Sequence, residues 1–130
     1  MKPSAMRLEA IPYAAFLGVR IEQGGQGPEL VLPFRDELVG NDRLPAIHGG
    51  VLGAFLELTA LMRLFADGAL ERVPKPIDFH VDYLRSAGPR ETRGRAEIVK
   101  HGRRIANVRV LAWQRDPAKP VSAGVGNFLL

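Results

Sequence analysis

From residue 49 to residue 66 the chain reads as one helix without a polar face. Val51, Leu52, Ala54, Phe55, Leu56, Leu58, Ala60, Leu61, Met62, Leu64 and Phe65 fall on every side of the wheel, and Asp67-Gly68 ends the run. A helix patterned this way does not lie on a surface; it is buried all round. It does not read as a membrane span, because the longest apolar stretch, residues 51–61, is interrupted by Glu57 and is too short to cross a bilayer. A single sheet covers only one side of such a helix. Either the sheet curls around it, or a second copy of the chain closes the other side, and both can hold together.

The remaining segments are strands and turns. Residues 7–17 predict a short helix stopped by Gly18. Residues 19–23 and 29–34 flank Gly24-Gly25-Gln26-Gly27-Pro28 and read as a hairpin. Residues 35–47 follow as a loop, broken by Gly40-Asn41 and Pro45. Beyond the long helix, Ile77, Phe79, Val81 and Tyr83 alternate with Asp78, His80 and Asp82, the period of a strand with one apolar face. Residues 93–100 and 105–114 form a second hairpin across His101-Gly102-Arg103-Arg104, and residues 121–130 close the chain. The order is helix, two strands, long helix, then three or four strands in meander. That is an α+β pattern, an antiparallel sheet with one long helix on a face. At 130 residues it makes one domain, 1–130, large enough to bury a core without a staple.

Composition removes several kinds of chemistry. Cysteine is absent, which excludes disulfides, thiolate metal sites and a cysteine nucleophile. Residues 1–9 hold no apolar run long enough for a signal peptide, so a soluble, cytoplasmic chain is expected. The net charge is +4, with much of the excess at Lys75, Arg85, Arg90, Arg93, Arg95, Lys100, Arg103, Arg104 and Arg109. A basic surface attracts anions, phosphorylated small molecules among them. Nucleic acid is not the expected partner, because aromatics make up only 7% of the chain and offer no stacking platform between the basic residues.

Glu57 carries the functional argument. Glutamate is almost never fully buried unless it is paired or functional. Its helical neighbours Gly53, Ala54, Ala60 and Leu61 are all uncharged, so no local ion pair accounts for it. Desolvation lifts the pKa of such a carboxylate toward the range useful for acid–base work. The helix start supplies a complementary group: Gly49 and Gly50 leave the first backbone N–H groups open to a ligand, and the helix dipole reinforces them as an oxyanion site. His48 precedes them, in an orienting role or as a structural hydrogen-bonding group. Gly49 and Glu57 are two helical turns apart, about 12 Å along one axis. An oxyanion donor and a base must both come within about 3 Å of the reacting group. One helix cannot satisfy both, whereas two antiparallel copies would set Gly49 of one against Glu57 of the other.

His48-Gly49-Gly50 followed by an acid at Glu57 resembles the hotdog-fold thioesterases of the phenylacetic-acid-pathway type, in the 4-hydroxybenzoyl-CoA thioesterase superfamily. Ile77-Asp78-Phe79-His80-Val81-Asp82-Tyr83-Leu84-Arg85 is similar to that family's first long strand after the helix, and Lys100-His101-Gly102-Arg103-Arg104 to its following hairpin. The resemblance implies a curved antiparallel sheet around a central helix, homodimers or dimers of dimers, and hydrolysis of acyl-CoA thioesters without a metal or a separate cofactor, CoA being part of the substrate. Position by position it makes Gly49 the donor to the thioester carbonyl and Glu57 the nucleophile or general base. The family commonly has Asn or Gln six residues before the histidine; Asp42 stands there, and Asn41 takes the role if the loop accommodates one more residue. A Ser or Thr that often holds the hydrolytic water is replaced by Pro76, and Thr59 points elsewhere on the helix. Arg85, Arg103 and Arg104 are candidates for the CoA phosphates, since arginine's planar fork matches phosphate.

Two further readings compete with hydrolysis. One is a non-hydrolytic protein that binds acyl-CoA or an acylated carrier, which Pro76 and the displaced Asn41 favour. The other is a hotdog dehydratase, whose chemistry calls for a histidine and an acid on one substrate carbon. His48 and Glu57 lack that spacing within one chain. Phe55, Leu58, Met62 and Phe79 are expected to be core residues, with a pocket lining as the alternative.

Overall fold

The computed structural model describes residues 8–41, 43–68, 70 and 72–130. In chain order these form helix α1 (Pro12–Leu17), strands β1 (Arg20–Gly24) and β2 (Gly27–Leu32), a 3-10 turn (Asp36–Leu38), the short strands β3 (Val39–Asn41) and β4 (Ala46–Ile47), the long helix α2 (Gly49–Asp67), and strands β5 (Lys75–Tyr83), β6 (Thr92–His101), β7 (Ile105–Trp113) and β8 (Ser122–Leu129). Six strands make one antiparallel sheet in the order β1-β2-β6-β7-β8-β5. Helix α2 packs on it chiefly over β6 and β7.

The wheel of α2 explains the packing. Leu52, Phe55, Leu56, Leu58, Ala60, Leu61, Met62, Leu64 and Phe65 are buried, so the residues weighed as a pocket lining at 55, 58 and 62 belong to the core. The sheet admits the helix by keeping its own side chains small. A Cβ on Gly94 would lie 2.9 Å from the Phe55 ring and 2.7 Å from Thr59 Oγ1. Thr59 is fully buried there and donates its hydroxyl back to the Phe55 carbonyl at 2.7 Å, which removes it from any catalytic role. By length and composition α2 is long enough to cross a bilayer, so counting only the uninterrupted run understated it. Burial against the sheet accounts for its apolar character.

That burial stops short of the full wheel. Gly50 is exposed and Gly53, Ala54 and Glu57 are half-buried, one stripe at three- and four-residue spacing. One chain therefore leaves open the side of the helix that carries the acid.

Elsewhere the chain departs from expectation for local reasons. Leu8 and Glu9 are helical, as read from the sequence, but the chain turns at residues 10 and 11 and helix α1 begins anew at Pro12, because a residue before proline is pushed out of helical torsions and Ile11 is extended; Arg7 lies outside the described residues. Gly18 caps it in the left-handed region, φ 70°, as its position suggested. The first hairpin turns more tightly than the five-residue turn read from the sequence. Gly24 pairs with Gly27, so Pro28 falls inside β2 opposite Gln23. The loop before α2 contains the small β3–β4 ladder, Val39 opposite Ile47.

The largest difference concerns β5. The meander is β6-β7-β8, and β5 crosses to the far edge, pairing with β8 from Lys75 opposite Leu129 to Tyr83 opposite Ser122. Its Phe79 ring lies in the space that a Cβ on Gly124 would need, at 2.7 Å, and meets Phe128 edge-on. Among the described residues no strand pairs with the other side of β5.

Candidate active site

The turn into α2 is held from three directions. The His48 N–H donates to the Leu38 carbonyl at 2.7 Å, and the Ile47 N–H to the Ala87 carbonyl at 2.8 Å. The His48 side chain caps the helix, its Nδ1 accepting from the Gly50 N–H at 2.9 Å. The ring fits only because Gly40 has no side chain: a Cβ there would lie 2.8 Å from His48 Cδ2. With Nδ1 used as an acceptor, the neutral imidazole carries its proton on Nε2. His48 is exposed, so that N–H is available to a ligand.

The two glycines are consequently not equivalent. The Gly50 N–H, read from the sequence as open to substrate, is already engaged by His48. The Gly49 N–H makes no hydrogen bond to the described residues and stands at the positive end of a 19-residue helix. Gly49 is the donor the fold leaves free.

Two turns further on, Glu57 is half-buried and makes no hydrogen bond or ion pair among the described residues. Loss of solvent pushes its carboxyl pKa upward. The other acid near the end of α2 is handled differently, with Asp67 accepting from Arg63 at 3.3 Å.

The remaining candidates are scattered. Asn41 ends β3, whose ladder adjoins the start of α2; Asp42 lies outside the described residues. Pro76 is exposed on β5 opposite Phe128. Arg85 lies two residues beyond Tyr83, at the Gly49 end of the sheet, and donates to the Pro120 carbonyl at 2.8 Å. Arg103 and Arg104 sit in the β6–β7 turn at the opposite end, where Arg104 borders a cleft with Arg72, Lys75 and Leu130. The three arginines do not converge within one chain. A depression of about 420 Å³ on the outer sheet face, lined by Asp82, Arg95 and Arg109 among others, contains none of the candidate residues.

A residue the sequence reading passed over completes the turn. The Tyr83 hydroxyl donates to the Gly49 carbonyl at 2.7 Å. A tyrosine in a strand pattern looks like any other apolar-face residue, and no motif spacing links positions 34 apart.

An antiparallel sheet laid around one long central helix is the hotdog fold, as the resemblance implied. The family model for the acyl-CoA thioesterase N-terminal domain matches residues 41–129, and the chain belongs to that family. No curated protein sequence matches it. Among solved structures, a Chromobacterium violaceum protein is 36% identical, with 98% of this chain and 88% of that one covered at a TM-score of 0.76. A phenylacetic acid degradation-related protein of the thioesterase kind from Ralstonia eutropha is 22% identical over 98% of this chain and 99% of that one, TM-score 0.83. A Bacillus halodurans protein solved with CoA is 18% identical over 92% and 78%, TM-score 0.81. The last two share the fold.

Proposed function

We propose that the chain hydrolyses acyl-CoA thioesters as a homodimer, with Glu57 of one copy and the Gly49 N–H of the other acting on the same carbonyl. The observation that carries this reading is Glu57 itself, half-buried, unpaired among the described residues and raised in pKa by desolvation, on an incompletely covered stripe of a largely buried helix. The small residues Gly50 and Ala54 beside it leave room for a second α2 to approach. The unpaired edge of β5 exposes Ile77 and Tyr83, with Leu84 just beyond, and an exposed apolar edge strand is a template for another chain.

In the joint site the ionised Glu57 takes a proton from water as hydroxide adds to the thioester carbon. The Gly49 N–H of the other copy stabilises the oxyanion. Collapse breaks the carbon–sulfur bond, and the thiolate of CoA leaves and takes up the proton. Direct attack by Glu57, through a mixed anhydride that water then opens, uses the same groups. A thioester is already activated, so no separate cofactor enters. The Bacillus halodurans neighbour with CoA and the thioesterase family model support the substrate class.

The test is CoA release from aromatic and medium-chain acyl-CoAs, followed with a thiol reagent. Glu57→Gln should lower kcat by about 10²–10⁴-fold with the dimer intact. Unchanged turnover in that variant would remove Glu57 from the mechanism. Saturable acyl-CoA binding without any CoA release would instead favour the non-hydrolytic reading that Pro76 suggests.

A further inference from the structure

Tyr83 reaches the turn from the edge strand. Its ring lies against the face of α2 where side chains are missing. A Cβ on Gly49 would be 3.4 Å from the ring, and one on Gly53 would be 3.5 Å from the hydroxyl. The hydroxyl donates to the Gly49 carbonyl at 2.7 Å. That carbonyl and the Gly50 N–H are the two ends of one peptide unit, and the Gly50 N–H donates to His48 Nδ1 at 2.9 Å. The result is a continuous chain of hydrogen bonds, from Tyr83 through one peptide group to the imidazole.

Hydrogen bonds in series polarise one another. A donor on the carbonyl strengthens the N–H at the other end of the amide, and so strengthens its hold on His48 Nδ1. That hold keeps the imidazole proton on Nε2, on the exposed side of the ring. The same contact fixes the plane of the Gly49–Gly50 peptide, and with it the residue whose own N–H is free.

We propose that Tyr83 is a positioning residue: through the Gly49–Gly50 peptide it fixes the His48 tautomer and the aim of the turn. Its place on β5 makes this also a link between the helix start and the edge of the sheet. The inference rests on the hydrolase reading only for its kinetic consequence; the tautomer is a property of the resting protein.

The test is Tyr83→Phe, which keeps the ring and removes the hydroxyl. In the unsubstituted protein the ¹⁵N shifts of His48 should report the Nε2–H tautomer. In the variant they should move toward a mixture of the two tautomers. The kcat for CoA release should fall by roughly 3- to 10-fold with KM within about twofold, the range expected for one neutral hydrogen bond. A general loss of folding would not move the tautomer while leaving KM in place. An unchanged tautomer, or an unchanged kcat beside a shifted one, overturns the proposal. If the unsubstituted protein releases no CoA at all, the hydrolase reading falls and the tautomer alone decides the role of Tyr83.

Discussion

Glu29 and Glu57 are both glutamates set into the body of the domain, one on each flank of the sheet, and the fold treats them in opposite ways. Glu29, 8% exposed, faces Arg93 at 3.3 Å. Arg93 also meets Glu22 at 3.0 Å and Glu91 at 3.2 Å, and Arg20 joins those two acids at 2.7 Å each. The charges of the β1 flank close upon themselves, which also blunts that edge against other chains. On the α2–β5 flank Glu57 has no partner among the described residues, and Ile77, Tyr83 and Leu84 are exposed. The buried carboxylate of Glu29 comes with its cation; that of Glu57 has none among the described residues, which is what the proposed catalytic role requires.

The most severe way to break this contrast is to put a charge on the open edge. If the proposed dimer forms through this edge, Ile77→Asp should leave a species of 14.2 kDa in light scattering and lower CoA release by about 100-fold or more, since the proposed site needs both copies. A monomer that still turns over would show the two flanks to be equivalent. On the closed flank, Arg93→Ala should leave the mass unchanged and cost about 1–2 kcal/mol in urea unfolding, because Glu29 loses its counterion while still buried.

The smallest effect lies in pH. Glu57 has a raised pKa from desolvation, so the native state holds its proton more tightly than the unfolded chain does. Its contribution to stability is full below the ordinary carboxylate pKa and is lost as pH rises through the raised value. Glu57→Gln should therefore melt higher at neutral pH, by about 1–3 °C, with the gain vanishing in acid. Glu22 is the opposite case, held below its ordinary range by hydrogen bonds from Arg20 first and Arg93 second. Its contribution is present above the ordinary pKa and lost as pH falls through the lowered one. Melting curves of Glu57→Gln and Glu22→Gln across pH would place the two flanks on opposite slopes.

What could be read from the sequence was what neighbours in the chain determine. The α2 boundaries, the hairpin at His101-Gly102-Arg103-Arg104 and the isolation of Glu57 all follow from local spacing. The β3–β4 ladder escaped because strands of two and three residues carry no period, and Gly40 and Pro45 look like breakers. The crossing of β5 escaped for another reason: alternation shows that a segment is a strand and says nothing about which strand lies beside it. The same limit hid the Tyr83 contact. It also let Arg85 be grouped with Arg103 and Arg104, although the β5–β8 register puts them at opposite ends of the sheet.

The crossing has a consequence for assembly in time. Strand β5 follows α2 directly, yet its only hydrogen-bonded neighbour among the described residues is β8, residues 122–129. Until that last strand is laid down, the segment bearing Phe79 and Tyr83 has nothing to zip onto, and Tyr83 has no fixed post from which to reach Gly49. A growing chain would thus possess its acid and its helix early, while the edge that squares them to each other arrives only with residues 122–129.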